Sequence, residues 1–382
     1  MAYELTNDIL KYLADSHAEC VELLKTLTLI PAPSHHEDEK AKYVMDWLLS
    51  AGAEGVYMDG AKNVILRIEG ERTDEAVVFM AHTDTVFPKD TPLVWREDET
   101  NYYCPGVGDD TCDLAIMMIV TRYIVQHKLK PKKTVLIVAN SCEEGLGNLK
   151  GSKQIVSDFG DILNEFYTFD GKYRSMATRC VGSHRYEITV ESEGGHSFGA
   201  FGHTNSIAEL ARLITELYRI NVPVKENTKT TYNVGLIEGG TSVNTIAQNA
   251  KMLYEYRSDD RECLEYMKKS FEETLERVRE TSGATFSVNT VGIRPCDGDV
   301  DPEKHSEMIE LVRSICTKHS GEPCTEHSGS TDCNAASSAS IPSVCLGLYL
   351  GGGAHTREEW VVKDSIPVGL KICAELILNY FN

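Results

Sequence analysis

Five short segments of the sequence place histidine or acidic side chains directly after apolar, strand-like runs or at the start of a helical pattern. These segments are centred on His82 with Asp84, Asp109 with Asp110, Glu143 with Glu144, Asp170, and His355. In an open α/β sheet, ligands bind beyond the carboxyl ends of the strands, so we expect the five segments to converge. Imidazole and carboxylate groups together match zinc, and manganese or cobalt would also fit.

The number of carboxylates in this predicted site favours two metal ions. Crowded carboxylates raise one another's pKa unless cations are present. If Asp109, Glu144 and Asp170 are ligands and both histidines are neutral, three negative charges and one hydroxide balance two divalent ions. Asp84 lies two residues after His82 on an extended chain, so it can face the imidazole and orient it.

Each segment alone also has an ordinary structural explanation. Glu143 with Glu144 fits a solvated turn, Asp170 before glycine fits a turn, and Asp109 with Asp110 fits a helix N-cap. The occurrence of all five segments in this order and context favours the metal site over five independent structural roles.

The element pattern predicts an α/β fold with a mixed, mostly parallel sheet. Apolar strand patterns occur at 63–70, 75–82, 133–140 and 165–170, and runs with little polar interruption separated by helices are typical of a mostly parallel sheet covered on both faces. One helix is predicted over 7–29. A capping box formed by Ser34 and Glu37 is predicted to start the next helix, with His35 and His36 solvated in its first turn.

The pattern changes near residue 183. Clearer alternation of apolar and polar residues, with two long helices, indicates an inserted α+β domain at 183–293. Residues 1–182 and 294–382 then form a discontinuous metal-binding catalytic domain, and we expect hinges near 181–184 and 292–296.

Composition narrows the class of protein. The 382 residues carry a formal net charge of −20, which disfavours nucleic-acid binding because phosphate backbones are repelled. No apolar run is long enough for a membrane span and no signal peptide is visible, so we predict a cytoplasmic protein. The twelve cysteines form no CxxC pair, and we interpret them, Cys142 included, as reduced structural residues.

The motifs together resemble the co-catalytic dizinc peptidase and amidohydrolase family, metallopeptidase family M20. The resembling segments occur in the family's order across both predicted domains: MAHTDTV (80–86), GVGDD (106–110), SCEEG (141–145), FDG (169–171), GGHSF (194–198), NTIAQNA (244–250), YRS (256–258), GSTDCN (329–334) and GGGAHT (351–356). The chain departs from many relatives at Thr111, where they have lysine.

The resemblance implies a role for each predicted metal ligand. It implies that His82 and Asp170 hold one ion, that Glu144 and His355 hold the other, and that Asp109 bridges both. It also implies a cis peptide bond after Asp109.

The resemblance implies catalytic and substrate-binding residues as well. Glu143 would be the general base, Asp84 would orient the metal-bound imidazole, and His196 would stabilise the oxyanion from the partner subunit of a homodimer. Four further residues would recognise the substrate: Arg257, Asn244, Ser330 and Thr331. Asp332 is expected to be a structural hydrogen-bond acceptor.

The activity that the resemblance implies is amide-bond hydrolysis by a water molecule activated at two zinc ions. The leading hypothesis is a peptidase-T-like aminopeptidase or dipeptidase acting on short peptides. An N-acyl amino acid deacylase with the same mechanism is the alternative, and a non-catalytic metal-binding scaffold is the alternative of another class.

Overall fold

The computed structural model describes residues 3–381, except for the side chain of Leu146, and the chain forms two units. The first unit contains the residues up to Cys180 together with those from Gly298 onward, and the second is Val181–Asp297. The range expected for the second unit from the sequence was 183–293. Each unit has its own hydrophobic core.

Ten α-helices lie within the described residues: α1 (Asn7–Asp15), α2 (His17–Thr28), α3 (Asp38–Ser50), α4 (Thr111–Gln126), α5 (Lys150–Phe159), α6 (Ser206–Leu217), α7 (Arg261–Glu280), α8 (Pro302–Ser320), α9 (Cys333–Ser338) and α10 (Ile366–Leu378). Two short 3-10 helices occur at Gly145–Gly147 and Lys363–Ser365.

Eighteen strands accompany them in the same part of the chain: β1 (Tyr57–Met58), β2 (Val64–Ile68), β3 (Arg72–His82), β4 (Arg96–Glu97), β5 (Asn101–Tyr103), β6 (Lys133–Asn140), β7 (Leu163–Phe169), β8 (Ser175–Cys180), β9 (Gly182–Glu191), β10 (Gly195–His196), β11 (Thr230–Gly239), β12 (Thr245–Ile246), β13 (Asn249–Ser258), β14 (Thr285–Arg294), β15 (Thr325–Gly329), β16 (Ser343–Leu346), β17 (Gly351–Gly352) and β18 (Trp360–Val362).

The first unit is built on an eight-stranded mixed sheet in the order β1-β2-β6-β3-β7-β16-β8-β15. Its four central strands, β6, β3, β7 and β16, are parallel to one another, and β2 and β8 flank them in the antiparallel direction. The carboxyl ends of the four central strands therefore lie at one edge of the sheet. This confirms the mostly parallel α/β fold.

Both faces of this sheet are buried, as strand β3 shows. Val77, Phe79 and Ala81 belong to the core shared with α1, α2, α4 and α10. Val78 and Met80 point the other way, into a second core with residues of α5 and α9. Because successive strand residues alternate between faces, two cores require the uninterrupted apolar run seen in the sequence.

The second unit is an antiparallel sheet in the order β11-β13-β9-β14, with helices α6 and α7 packed on it. Its core contains Ile188 and Val190 of β9, Met252 and Tyr254 of β13, and Phe271 of α7 among its residues. A separate pair of two-residue strands, β10 and β12, lies between the longer ones in the chain.

Two local predictions near the N-terminus are wrong. The helix predicted over 7–29 is two helices that meet at Ser16, whose hydroxyl accepts a hydrogen bond from Arg122. The capping box is absent because Ser34 donates to Asp84 instead, and the buried Glu37 accepts from the backbone of His35 and Cys142. Long-range polar contacts thus replace the local cap.

Candidate active site

Strand ends bring the first group of predicted residues together. His82 is the last residue of β3, and Asp170 directly follows β7. Strand β6 ends at Asn140, and the chain continues to Glu143 and Glu144. Because β6, β3 and β7 are adjacent and parallel, these side chains lie at the same edge of the sheet.

Five side chains form two overlapping groups with the geometry of metal-ligand sets. One group is His82, Asp109 and Asp170, and the other is Asp109, Glu144 and His355; the ligand atoms of each group lie within 4.8 Å of one another. Asp109 belongs to both groups. Its Oδ1 is 3.1 Å from Nε2 of His82, and its Oδ2 is 3.1 Å from Nε2 of His355.

Carboxylates dominate the electrostatics of both imidazoles. Hydrogen bonds to Asp109 and Glu144 raise the pKa of His355 to about 10. Burial lowers the pKa of His82, but the carboxylates led by Asp110 and Asp109 outweigh it and hold that pKa well above the usual range. Positive charge is therefore stabilised at this site.

The remaining acids of the site carry unfavourable negative charge. Burial, reinforced by the charge of Asp109, raises the pKa of Asp170 well above its usual range. Burial also raises the pKa of Glu144. Divalent cations would relieve this repulsion.

The positions of individual atoms also fit a metal. Oε1 of Glu144 is buried and faces Nε2 of His355, which lies 3.1 Å away and is itself 3.1 Å from Oδ2 of Asp109. Two imidazole nitrogens and three carboxylates are ligands that zinc prefers. The donor set and its close spacing fit bound divalent cations.

Asp84 supports the site through the backbone as well as through His82. Its carboxylate accepts hydrogen bonds from Ser34 Oγ at 2.6 Å, from the Glu143 amide at 2.9 Å and from the Glu144 amide at 3.0 Å. Nδ1 of His82 lies 3.0 Å from the carbonyl oxygen of Asp84 and 3.5 Å from its carboxylate. Asp84 therefore holds the chain that carries the two glutamates.

The peptide bond between Asp109 and Asp110 is cis, as predicted. Asp110 then turns away from the two ligand groups, and its Oδ2 accepts a hydrogen bond from the amide of His82 at 2.7 Å. Asp113, on the first turn of α4, accepts from the amide of Leu348 at 3.0 Å. Of the two consecutive acids, Asp109 belongs to the ligand groups and Asp110 accepts a hydrogen bond from the backbone.

Two residues near the site were not identified from the sequence. Glu359 is buried and accepts hydrogen bonds from the loop that leads to Asp109. Lys40 on α3 is buried, and its electrostatic partners include Asp84, Asp110 and Glu359. Burial lowers the pKa of Lys40 to about 8. A charged residue on the otherwise buried face of α3 was the available sequence signal.

Ser330 and Thr331 lie in the same unit, between β15 and α9, and are half-buried. The Thr331 amide donates to Asn334 Oδ1 at 2.8 Å. The buried Asp332 accepts a hydrogen bond from Asn140 Nδ2 at 2.6 Å, and the charge of Glu143 contributes to its raised pKa, after burial.

His196 and Asn244 lie together in the second unit. Strand β10 pairs His196 with Thr245, and the amide of Ser197 donates to the carbonyl of Asn244 at 2.9 Å. The exposed ring of His196 accepts hydrogen bonds at Nδ1 from the amides of Phe198 and Gly199, at 3.3 and 3.2 Å. A neutral imidazole that accepts at Nδ1 carries its proton on Nε2.

Arg257 lies at the opposite end of this unit's sheet. It pairs across β13 and β9 with Ser183, whereas Asn249 at the other end of β13 pairs with Glu191. Nε of Arg257 is buried and has no hydrogen-bond partner. The eight residue-to-residue steps of extended strand from Ser183 to Glu191 span about 27 Å. His196 is farther along the chain still.

None of the helices within residues 3–381 combines the length and the apolar character needed to cross a membrane.

Comparison with known proteins places this geometry in a family. Residues 78–379 match peptidase family M20/M25/M40. Carboxypeptidase G2 of Pseudomonas sp. (strain RS-16) is 22% identical over 328 residues, which cover 83% of this chain and 76% of that protein.

Two solved structures share the fold. Aminopeptidase PepT from Bacillus cereus ATCC 10987 superimposes with a TM-score of 0.73 at 18% identity, covering 96% of this chain and 99% of that one. YxeP of Bacillus subtilis, described as a dinuclear metal-binding peptidase, gives a TM-score of 0.64 at 16% identity over 96% of this chain and 99% of that one. The chain belongs to peptidase family M20/M25/M40 and is a metal-dependent hydrolase of amide bonds.

Proposed function

We propose that this hydrolase binds two divalent cations, most favourably zinc, in the two overlapping ligand groups. His82 and Asp170 would hold one ion, Glu144 and His355 the other, and Asp109 both. The observation that carries this proposal is the orientation of Asp109, whose two carboxylate oxygens lie 3.1 Å from two different imidazoles. Manganese or cobalt would suit the same ligands.

Glu143 is proposed as the general base. Divalent cations held in the two groups would polarise the scissile carbonyl and lower the pKa of the attacking water. Glu143 is buried beside the ligand Glu144, and Asp84 fixes the backbone of both. From there Glu143 accepts the proton of the attacking water and delivers a proton to the leaving amine.

His196 is proposed to stabilise the oxyanion, with its Nε2 proton as the donor. The amides of Phe198 and Gly199 occupy Nδ1, which leaves the protonated nitrogen directed away from its own loop. A donor placed at a developing oxyanion contributes about 3–4 kcal/mol to catalysis.

The placement of the substrate-binding candidates supports a homodimer. Arg257 pairs with Ser183 at one end of the four-stranded sheet, whereas Asn244 lies beside the separate strand pair β10 and β12, which the chain reaches from the other end of that sheet, about 27 Å of extended strand away. A tripeptide spans about 11 Å at most. One short peptide would therefore not reach both ends of the same second unit, and we propose that the partner subunit supplies His196 and Asn244.

Short peptides are the proposed substrate, cleaved by exopeptidase action of the peptidase T type. Arg257 would bind a substrate carboxylate through its guanidinium group, and Ser330 and Thr331 would contribute from the first unit. The name of PepT, an aminopeptidase that shares the fold, supports this choice. The cytoplasmic location stays a prediction from the sequence.

The test is turnover by the zinc-loaded enzyme on a matched set of substrates, together with metal content per chain. The set contains one tripeptide in three forms, which are free at both ends, N-acetylated and C-amidated. It also contains the N-acyl derivatives of the constituent amino acids. Two metals per chain with cleavage that requires a free amino end support the proposal.

The other outcomes are equally informative. Cleavage of the N-acyl amino acids alone would keep the mechanism and make the enzyme a deacylase. Turnover that requires only a free carboxyl end would indicate a carboxypeptidase. A single metal per chain after reconstitution with zinc, manganese and cobalt would contradict the bridging role of Asp109.

A further inference from the structure

The buried carboxylate of Glu359 accepts hydrogen bonds from three backbone amides. Its Oε2 accepts from the amide of Gly106 at 2.7 Å, and its Oε1 accepts from the amides of Gly108 at 3.0 Å and Asp109 at 2.7 Å. The residue is 1% exposed and directly precedes β18. Hydrogen bonds from amides to a carboxylate are stronger than those between neutral groups.

The loop packs closely against Glu359 and Tyr349. A Cβ atom built on Gly108 would lie 2.5 Å from Tyr349 Oη and 2.9 Å from Glu359 Oε1. Gly106 has a φ of +73°, in the left-handed region that favours glycine. The glycines therefore let the backbone approach Glu359 closely enough for all three amides to bind it.

The short segment that contains Glu359 also contains the proposed metal ligand His355. His355 lies four residues before Glu359, and its Nε2 is 3.1 Å from Asp109 Oδ2. Asp109 is thus contacted at its side chain by His355 and at its amide by Glu359.

We infer that Glu359 is a positioning residue for the metal centre, which fixes the backbone of Asp109 so that its carboxylate can face two ions at once. The inference rests on the proposed bridging role of Asp109. Hydrogen-bonding partners that orient metal ligands typically change metal affinity or activity about 10- to 100-fold when they are removed.

The experiment compares E359Q with wild type and with E358Q. Glutamine keeps the size of the side chain but replaces one acceptor oxygen with an NH2 group, which cannot accept from the loop amides. Glu358 is the exposed neighbour paired with Arg96, so E358Q controls for loss of a negative charge in this segment. Zinc affinity is measured by chelator competition, and the cobalt-substituted proteins are compared by visible absorption.

We expect E359Q to bind zinc about 10- to 100-fold more weakly and to show an altered cobalt spectrum, while E358Q matches wild type on both measurements. A purely fold-stabilising role would lower the melting temperature without changing the spectrum of the folded, cobalt-loaded protein. That result, or unchanged affinity, would overturn the inference.

A second variant keeps the test decisive if E359Q does not fold. E359D retains the charge but is one methylene shorter, so it should reach fewer of the three amides and change the spectrum in the same direction. Failure of wild type to bind two ions would sink the proposed function itself. Wild type with two ions and an unaffected Glu359 variant would sink this inference alone.

Discussion

At the scale of single residues, the site is a set of carboxylates with divided roles. Asp109 and Asp170 are placed for metal binding, whereas Asp84 accepts backbone and hydroxyl hydrogen bonds. Glu143 and Glu144 are adjacent in sequence and both buried, yet only Glu144 belongs to a ligand group among the described residues. Neighbouring groups and hydrogen-bond partners, not residue type, separate these roles.

This division gives a prediction for Glu143. We expect Glu143→Gln to lower kcat about 10²- to 10⁴-fold, because the amide cannot accept the proton of the attacking water, while metal content stays at the wild-type value. Steady-state kinetics and elemental analysis of the same preparations check both parts. Glu54→Gln, which changes an exposed glutamate, is the matched control. Activity near that of wild type would remove Glu143 from the mechanism.

At the scale of elements, packing of α5 against the loop after β6 holds the two glutamates in place. The amide of Gly151 on α5 donates to the carbonyl of Ser141 at 3.2 Å, and Asn63 Nδ2 donates to the carbonyl of Gly151 at 3.0 Å. A Cβ at Gly151 would lie 2.3 Å from the Ser141 carbonyl oxygen. The helix therefore approaches the loop at the distance that only glycine allows.

We accordingly expect Gly151→Ala to destabilise the first unit by about 1–3 kcal/mol, the usual cost of overpacking, and to reduce activity by shifting the loop. Urea unfolding monitored together with kcat measures both effects. Gly60→Ala is the control, since a Cβ there meets no atom within 4 Å. Equal stability of the two variants would show that the contact between α5 and the loop can relax.

The sheet of the second unit contains a buried histidine that should make its stability depend on pH. His184 on β9 lies among tyrosines, with Nδ1 2.9 Å from Tyr256 Oη and 3.3 Å from Tyr186 Oη. Burial lowers the pKa of His184 below its ordinary value of 6.5. The folded state therefore binds this proton less readily than the unfolded state does.

Protonation of His184 at low pH should destabilise the folded second unit. The contribution of His184 to stability is fully present above about pH 6.5 and is lost as the pH falls from there through the lowered folded-state pKa. The slope can reach about 1.4 kcal/mol per pH unit for one proton. Urea unfolding at a series of pH values should show a smaller loss in His184→Gln than in wild type. His203→Gln, at an exposed position of the same unit, is the control; equal slopes for both variants would contradict the prediction.

At the scale of the whole molecule, catalysis is proposed to need two chains. The evidence in one chain is that His196 and Asn244 lie at the strand pair β10 and β12, whereas Arg257 lies at the far end of the four-stranded sheet. In a homodimer with twofold symmetry, whatever one chain supplies to the site of its partner, the partner supplies in return.

Mixing two inactive variants tests this arrangement. Glu143→Gln and His196→Ala should each be nearly inactive as homodimers. After unfolding and refolding together, half of the dimers are mixed, and one of their two sites has an intact Glu143 and an intact partner histidine. Activity should therefore return to about a quarter of the wild-type value. No recovery, despite mixed dimers in native mass spectrometry, would show that His196 serves its own chain.

The class of fold and the proposed ligand residues could be predicted from local sequence patterns and motifs. Mostly apolar runs such as 133–140 indicated strands buried on both faces. His82, Asp170 and the two glutamates were predicted as ligands or catalytic residues because they lie at or just after the ends of such runs. This information is local, because side-chain periodicity and strand ends are properties of short segments. The M20 motifs could be recognised for the same reason, because each is a short continuous segment.

The groups that hold those residues in place through hydrogen bonds could be identified only from the three-dimensional fold. Ser34 and Glu37 form a good local capping pattern, yet they bind Asp84 and the Cys142 backbone, which are far away in sequence. Glu359 is likewise separated from the Gly106 amide by 253 positions. Such partners are chosen by packing, because a buried donor or acceptor must be satisfied by whatever the fold places beside it, and no spacing in the sequence records that choice.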